Sequence, residues 1–548
     1  MYRLKRKLWG LLLCLVLAGI GVGAEVVNPD TYAWIYNRDL FTLDPANAME
    51  AQELMVHNDI YQRLVQIDRQ DPTKIVGDVA KRWDVSADGL THTFYLREGL
   101  TFHDGTPLTA EDVKYSFDRI VLMMGPGGQY VDFAILAGAD EYFNSEHTQA
   151  DADAYLAASA VTVLDDHTVA FGLVEPWGSF ESLLTSWGQI VSKDYIEAHG
   201  GITLAIENEW MMRHAMGSGP FKFVEWVPGQ RIVLERFDGY WRGPAQLKYV
   251  IMEVITEPAT AFLKLESGEA DAIHAIEDAA IIDQLFDLET LESKVEGIDA
   301  ILADWLSTGA IMLNLEKEPF NDVRFREALN KVFPYELNNE VVDRGITQSL
   351  TNGVLPRGMF GHPDYLPLYR QDLDRARELF LEVGWTGTLT VTIRSGREAA
   401  RTSGLLLKDA IESLNIGIQV DVVEIVTSTW KGMRRNGELE IYFGGWGVQF
   451  ADPGDMVSAF FKTGDFHPSH TRLSDPILDA MIAVADAESD LVTREQMYNE
   501  IVEYSNALYA YIFTGQRNIV AAKRSWVHGW TYVPLRWARE SYLLYKEE

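Results

Sequence analysis

The chain is almost without cysteine. Of its 548 residues only Cys14 is one, and it lies inside an apolar run at the N-terminus. A disulfide framework, a thiolate nucleophile and a cysteine metal site are therefore disfavoured for everything that follows. Positive charge is also scarce: 47 Lys and Arg stand against 81 Asp and Glu, a formal net charge of −34. A surface that tracks phosphates needs clustered cations, so nucleic acid and anionic membranes are poor candidates for partners. After the N-terminus there is no apolar run long enough to cross a bilayer and no fixed-period repeat. The common catalytic signatures are missing as well, with no G-x-x-x-x-G-K-S/T loop, no H-E-x-x-H helix and no G-x-S-x-G elbow. What is present is ordinary globular composition, 47% hydrophobic and 23% charged with 43 Gly and 19 Pro. The length suits three or four structural units or two large lobes.

The N-terminus carries the first positive signal. Arg3, Lys5, Arg6 and Lys7 precede an apolar run from Leu8 to Val22, and Gly23 and Ala24 supply small residues before Glu25. This reads as a secretory signal cleaved after Ala24. The alternative is a retained anchor, which Gly10, Gly19, Gly21 and Gly23 weaken. Cleavage removes four basic residues, giving a mature charge of −38, and removes Cys14 with them. Leu11-Leu12-Leu13 before Cys14 lack the small residues of a lipidation site, so a periplasmic protein is expected.

The rest alternates strands and helices, placing the chain in the α/β class. Thr91 to Leu96 reads as a strand. Thr109, followed by Glu111 and Asp112, caps a helix with Val113, Phe117 and Ile120 on one face. Val161 to Leu164 with Thr168 to Leu173, and Phe221 to Trp226 with Arg231 to Phe237, read as hairpins. Ala259 to Glu266 is a helix before a strand at Asp271 to Ile276. The clearest βαβ unit joins a strand at Thr388 to Ile393, a helix at Glu398 to Leu414 and a strand at Ile416 to Ile425. A short helix at Trp430 to Arg435 follows, then a strand at Leu439 to Phe443 running out into Gly444-Gly445-Trp446-Gly447. Ligands of open α/β sheets sit beyond the carboxyl ends of strands, which makes Trp446 the first candidate contact. Helices at Leu478 to Glu488 and Arg494 to Leu508 precede closing strands at Asn518 to Ala522 and Trp537 to Tyr545.

Aromatic residues beside glycine or polar residues stand out: Trp177-Gly178, Trp187-Gly188, Tyr240-Trp241, Trp430 and Trp446. Most are expected to pack in cores, with a minority lining a cleft. His467-Pro468-Ser469-His470 has two potential metal ligands but reads as a solvated loop. Among so many carboxylates, an acid pair for glycoside hydrolysis can be neither supported nor dismissed from sequence.

Several separated motifs carry a resemblance to a known family. They are Leu43-Asp44-Pro45, Ile60 to Val65, Asp78 through Leu96-Arg97-Glu98-Gly99, Phe102 through Val113, Gly217 to Phe221, Asn314 and Pro319 to Arg324. Together the chain resembles the bacterial extracellular solute-binding proteins of the oligopeptide, dipeptide and nickel class, the receptors of ABC importers. The resemblance implies an α/β two-lobed periplasmic-binding-protein clamshell with an additional small subdomain. The expected division is a signal peptide at 1–24, lobe I at 25–59, 188–280 and 510–548, the small subdomain at 60–187 and lobe II at 281–509.

The resemblance also implies a function without catalysis or cofactor: a monomer that closes over one solute and presents it to ABC permease subunits. Peptide-binding relatives place an aspartate three residues after the tryptophan of the Gly-Trp motif, where it pairs with the peptide's α-ammonium. Here Gln449 stands at that position and brings no charge. Asp452 could substitute or could start the next helix, with Pro453 in its first turn. Expected solute contacts are Trp446, Gln449, Trp34, Tyr36, Asn37, Asp452 and Trp430. A peptide-like solute is the first reading and an oligosaccharide the second; a secreted glycan hydrolase or a chemosensory receptor are readings from other classes.

Overall fold

The computed structural model describes residues 26–68, 74–124, 133–288, 290–344, 352–531, 535 and 541–547. The expected signal and its cleavage at Ala24 lie outside the described residues, as does most of the first half of the strand expected from Trp537.

Ten strands share one sheet, in the order Ile418–Ile425, Gly387–Arg394, Ile441–Gly447, Ile298–Leu313, Tyr511–Arg524, Ala272–Ile273, Thr31–Tyr36, Tyr249–Val254, Arg231–Arg236 and Phe221–Val227. Its two ends are built differently. At one end Gly387–Arg394 runs parallel to both Ile418–Ile425 and Ile441–Gly447. The helix Glu398–Ser413 makes the crossover and buries Leu407 and Ile411. At the other end Thr31–Tyr36 runs parallel to Tyr249–Val254, and the hairpin Phe221–Val227 with Arg231–Arg236 closes the edge.

The two long strands Ile298–Leu313 and Tyr511–Arg524 join these ends. Ile298 to Asp304 pairs with Asn518 to Arg524, and Thr308 to Met312 pairs with Tyr511 to Gln516. The register shifts between Asp304 and Thr308. Ile298 and Val520 pack with Ile35, Phe262, Leu265, Ile273 and Ile282. Ile311, Leu313 and Ile512 pack instead with Phe325, Leu329, Val391 and Ile441. One strand pair thus serves two apolar cores, with its pairing irregularity between them.

The strand expected to stop at Phe443 continues to Gly447. Its glycines are not a turn. Gly444, Gly445 and Gly447 pair with Ala310, Gly309 and Ser307. A Cβ at Gly445 would lie 2.7 Å from the Thr308 carbonyl oxygen, and one at Gly447 2.3 Å from the Trp305 ring. Glycine is present because backbone and ring approach closely, a use that composition alone does not distinguish from a loop.

A separate four-stranded antiparallel sheet comprises Ala80–Val85, Thr91–Leu96, Thr168–Gly172 and Val161–Asp165. The helix Ala110–Met123 packs against it and begins with a capping box between Thr109 and Asp112. Its Arg119 donates from both Nη atoms to the Asp44 carboxylate, at 2.7 and 2.5 Å. That fully buried pair ties Leu43-Asp44-Pro45 to the four-stranded sheet, so the motif does structural work.

Candidate functional site

Trp446, Gln449 and Asp452 follow one another around a single turn. Trp446 is the penultimate residue of the strand Ile441–Gly447, and Asp452 caps the helix Pro453–Phe461 by accepting from Gly454 N at 2.8 Å. Asp455, in the first turn of that helix, organises the segment. Trp446 Nε1 donates to both of its carboxylate oxygens at 3.2 Å, and Gln449 N donates to it at 2.7 Å. The indole edge is thereby fixed. One neighbour of its ring is Phe466, at 5.0 Å between centroids. Gln449 has a held backbone and a lightly held side chain, whose Nε2 makes a 3.3 Å bond to Gly447 O.

Asp452 is 5% exposed, and both its oxygens accept from Arg494, at 2.7 and 2.8 Å. Its carboxylate starts a helix and closes an ion pair. Arg494 also donates to Ser179 Oγ at 2.7 Å and to the Tyr498 hydroxyl at 3.0 Å. Burial by itself would lower the Arg494 guanidinium, but Asp452 and Tyr498 raise it above its ordinary value. Beside it, burial pushes the Asp486 carboxyl up to about 6 although Tyr498 donates to it at 2.8 Å.

Two of the flagged aromatic–glycine pairs meet this region from the other side. Trp187 Nε1 donates to Gln449 O at 3.2 Å, Gly178 N donates to Asp486 O at 2.7 Å, and Trp177 lies edge-on to Phe450 at 5.7 Å. A Cβ at Gly178 would sit 2.7 Å from the Glu488 carbonyl oxygen, so glycine permits the contact. The turn that carries Trp446 and Gln449 is thus touched by the segment that follows the four-stranded sheet.

Trp430 is 6% exposed on the helix Thr427–Arg435 and lies edge-on to Tyr442, one strand alternation below Gly444 and Trp446. The guanidinium carbons of Arg394 and Arg434 stand 5.7 and 5.1 Å from the centre of its ring. Arg434 also stands over Phe466 at 5.0 Å. Arg394 is the last residue of a strand parallel to Ile441–Gly447, so it and Trp446 occupy the carboxyl ends of neighbouring parallel strands. This is where ligands of such sheets sit.

Trp34 and Tyr36, with Asn37 after them, belong to the other end of the sheet, with three strands between theirs and that of Trp446. Trp34 and Tyr36 are each 1% exposed and edge-on to one another, and Trp34 is edge-on to His274, which stacks on Trp530 at 4.8 Å. The carbonyls of Ile35 and Tyr36 accept from His274 N and Ile255 N, so sheet pairing occupies them. Asn37 lies just past the strand end.

The loop expected at His467-Pro468-Ser469-His470 is instead the start of a short helix, Pro468–Thr471. His467 is 3% exposed, and burial, then Arg434, lowers its imidazole to about 3. It packs against Phe460 at 4.6 Å and Trp446 at 6.1 Å, so it is a neutral wall of the site and not a solvated residue. Among the described residues no group of three or more His, Cys, Asp and Glu could hold a metal ion. Sequence reasoning missed Asp455, Arg494, Arg394 and Arg434. For Asp455 the available signal was an acid in the first turn after Asp452-Pro453; Arg494 gave none.

Comparison with known proteins shows the family and the fold. The pattern of the bacterial extracellular solute-binding proteins, family 5 middle, matches residues 74–468. The probable D,D-dipeptide-binding periplasmic protein DdpA of Escherichia coli K12 is 28% identical over 537 residues, covering 96% of each chain. The periplasmic oligopeptide-binding protein OppA of the same strain is 26% identical, covering 94% of this chain and 92% of that one. The periplasmic binding protein DppA of Helicobacter pylori, solved with the peptide STSA, superposes with a TM-score of 0.73 at 24% identity, over 94% of this chain and 98% of that one. No helix among the described residues is long and apolar enough to cross a membrane. The chain belongs to the family 5 bacterial extracellular solute-binding proteins, with their two-lobed α/β fold.

Proposed function

We propose that the protein is the periplasmic receptor of an ABC importer, binding a peptide-like solute between its lobes and releasing it unaltered to permease subunits. The observation that carries this reading is the position of the Trp446–Gln449 turn. It lies at the carboxyl ends of parallel strands, and Trp187, from a distant part of the chain, closes onto it. A solute that touches both sides favours the closed form; one that touches only one side shifts nothing. Support comes also from relatives named for dipeptides and oligopeptides over nearly their whole length.

In this reading Trp446 offers a ring face to the solute, Gln449 a neutral amide, and Asn37 a polar group from the opposite lobe. Trp34, Tyr36, Trp430 and Asp452 support those contacts from behind. The lobes turn about the two long strands where register shifts between Asp304 and Thr308. Residues 281–303 then move with lobe I, because Ile281, Ile282, Leu285 and Ile298 pack there. Residues 60–187 form the small subdomain, and the receptor acts as a monomer.

The test is thermal-shift screening of the mature chain against peptide and oligosaccharide libraries, since a ligand that binds only the folded form raises its stability. Peptide responses with intact peptide recovered afterwards are expected. Responses to sugars alone would replace the solute class, and accumulation of cleaved product would replace the receptor reading with a hydrolase.

A further inference from the structure

Residues 177–187 meet the region of the Trp446–Gln449 turn although they are fastened elsewhere. Glu181 Oε1 lies 2.7 Å from His92 Nδ1 on the four-stranded sheet, and Ser186 O accepts from Arg63 Nε at 3.1 Å. The groups they meet belong to the turn itself, to the end of the helix Pro476–Ala487 and to the start of the helix Leu491–Leu508. Gly178 N donates to Asp486 O at 2.7 Å, Arg494 Nη2 donates to Ser179 Oγ at 2.7 Å, and Trp187 Nε1 donates to Gln449 O at 3.2 Å. Three hydrogen bonds thus join segments some 260 to 315 residues apart in the chain.

Ser179 holds the position that caps the helix Phe180–Ser186, yet its side chain makes no cap bond. Serine is common there because its oxygen accepts from the first amides of a helix. Here the oxygen is turned to Arg494 instead, and the residue is fully buried. Arg494 also reaches both oxygens of Asp452, so the bond to Ser179 is additional to an ion pair that is already made. Gly178 is fitted to the same contact, since an added Cβ would lie 2.7 Å from the Glu488 carbonyl oxygen. Gly178, Ser179, Asp486 and Arg494 are none of the expected solute contacts, and each of these bonds joins groups of the chain itself.

We propose that Gly178, Ser179 and Trp187 form a clasp with Asp486, Arg494 and Gln449 that holds lobe II against the small subdomain before any solute arrives. The inference rests on the receptor reading given above, in which lobe II turns against the rest of the molecule. If only the closed form grips a solute, the apparent dissociation constant is the intrinsic one divided by the closed fraction. A contact that raises this fraction tightens every solute by the same factor, whereas the Trp446 ring and the Gln449 amide choose among solutes. Within the clasp the bond from the charged guanidinium is the strongest, because charge-assisted hydrogen bonds are about twice as strong as neutral ones.

Hydrogen exchange and X-ray scattering of the mature full chain without solute test it. In the parent protein the Gly178 amide should exchange slowly, because its bond to Asp486 O opens only when the clasp does. Ser179→Ala removes the acceptor, leaves the Arg494–Asp452 pair whole and takes no cap bond from its helix. It should speed exchange at Gly178 about tenfold, the effect of one hydrogen bond to a charged group. Gly178→Ala pushes the Glu488 carbonyl away and leaves Ser179, Arg494 and Asp452 in place. In both variants the radius of gyration should rise, while amides of the helix Glu398–Ser413 keep their protection. Fast exchange at Gly178 in the parent protein overturns the clasp. So do variants that scatter as the parent does, which would make the contact a fixed interface or a local one. If peptides still raise the parent's unfolding midpoint in those cases, the receptor reading stands; if none does, it falls as well.

Discussion

Arginine appears in two settings in this protein. Arg119 and Arg494 are buried, and each fills its fork with a carboxylate of the same chain, Asp44 and Asp452. Arg394 and Arg472 are half-buried and have no such carboxylate among the described residues. The first pair fasten distant segments: Arg119 holds the N-terminal motif to the small sheet, and Arg494 joins the helix Leu491–Leu508 to Ser179. Of the second pair, Arg394 stands by the Trp430 ring, and Arg472 donates to the Ser469 carbonyl beside Gly437. An arginine that pairs with a buried acid of its own chain holds structure, and one without such an acid has no pair to break.

The largest expected effect comes from breaking the first kind. Asp44→Ala leaves the Arg119 guanidinium buried without its partner, and removing one member of such a pair lowers stability by about 3–5 kcal/mol. Arg394→Ala removes a group with no carboxylate to abandon, and should move stability by no more than about 0.5 kcal/mol. Guanidinium unfolding of both variants measures the contrast. Similar losses would mean that the two settings are not distinct.

Trp446 sharpens the comparison because it lies between the settings, held by Asp455 and facing the ring over which Arg434 stands. Trp446→Ala removes a large aromatic contact of the kind that dominates binding interfaces, and should weaken a verified solute by about 2 kcal/mol, roughly 30-fold. Trp446→Phe keeps a ring but gives up the indole donor to Asp455, and should recover part of the affinity. Titration calorimetry distinguishes them; unchanged affinity in Trp446→Ala would remove this residue from the site.

Much of this architecture was readable before any coordinates, and the parts that were not share a physical cause. The Thr109 capping box, the hairpin at Phe221 and Arg231, and the βαβ unit from Gly387 to Ile425 are local: capping side chains, turn residues and periodicity lie within a few turns of chain. The strand Ile298–Leu313 escaped notice because it leaves one core, crosses an irregularity at Asp304–Thr308 and enters another, so no single alternation runs through it. Trp446 was expected from its place beyond the strand at Leu439 to Phe443, and Gln449 from the resemblance; the turn that joins them lies within a few residues of chain. The pair of arginines at the Trp430 ring was not, because Arg394 and Arg434 come from separate elements and only tertiary folding brings them together. His467 failed for the same reason: Phe460 and Trp446, which bury it, are not its neighbours in sequence.

The last prediction adds a spare acid to the comparison. Arg494 has its carboxylate in Asp452, yet Asp486 also lies close, buried and raised to about 6 by that burial. A carboxyl whose folded value lies above its unfolded one, near 3.9, binds more protons folded than unfolded between those two values. Its contribution favours the folded state below about pH 4, fades as pH rises towards 6 and stays lost above it. At pH 7 the charged Asp486 therefore opposes folding, by about 2–3 kcal/mol at 1.36 kcal/mol for each pH unit of difference. Asp486→Asn keeps an oxygen for the Tyr498 hydroxyl and leaves the Arg494–Asp452 pair whole. Because the amide brings its own NH₂ donor into the site, about 2 kcal/mol of this should be recovered at pH 7. The fall in stability between pH 4 and 6 should also become shallower, as denaturant midpoints across that range would record. If the variant were instead less stable at pH 7, Asp486 would belong with Asp452 as a true partner of Arg494, and the arginine would be shared by two acids.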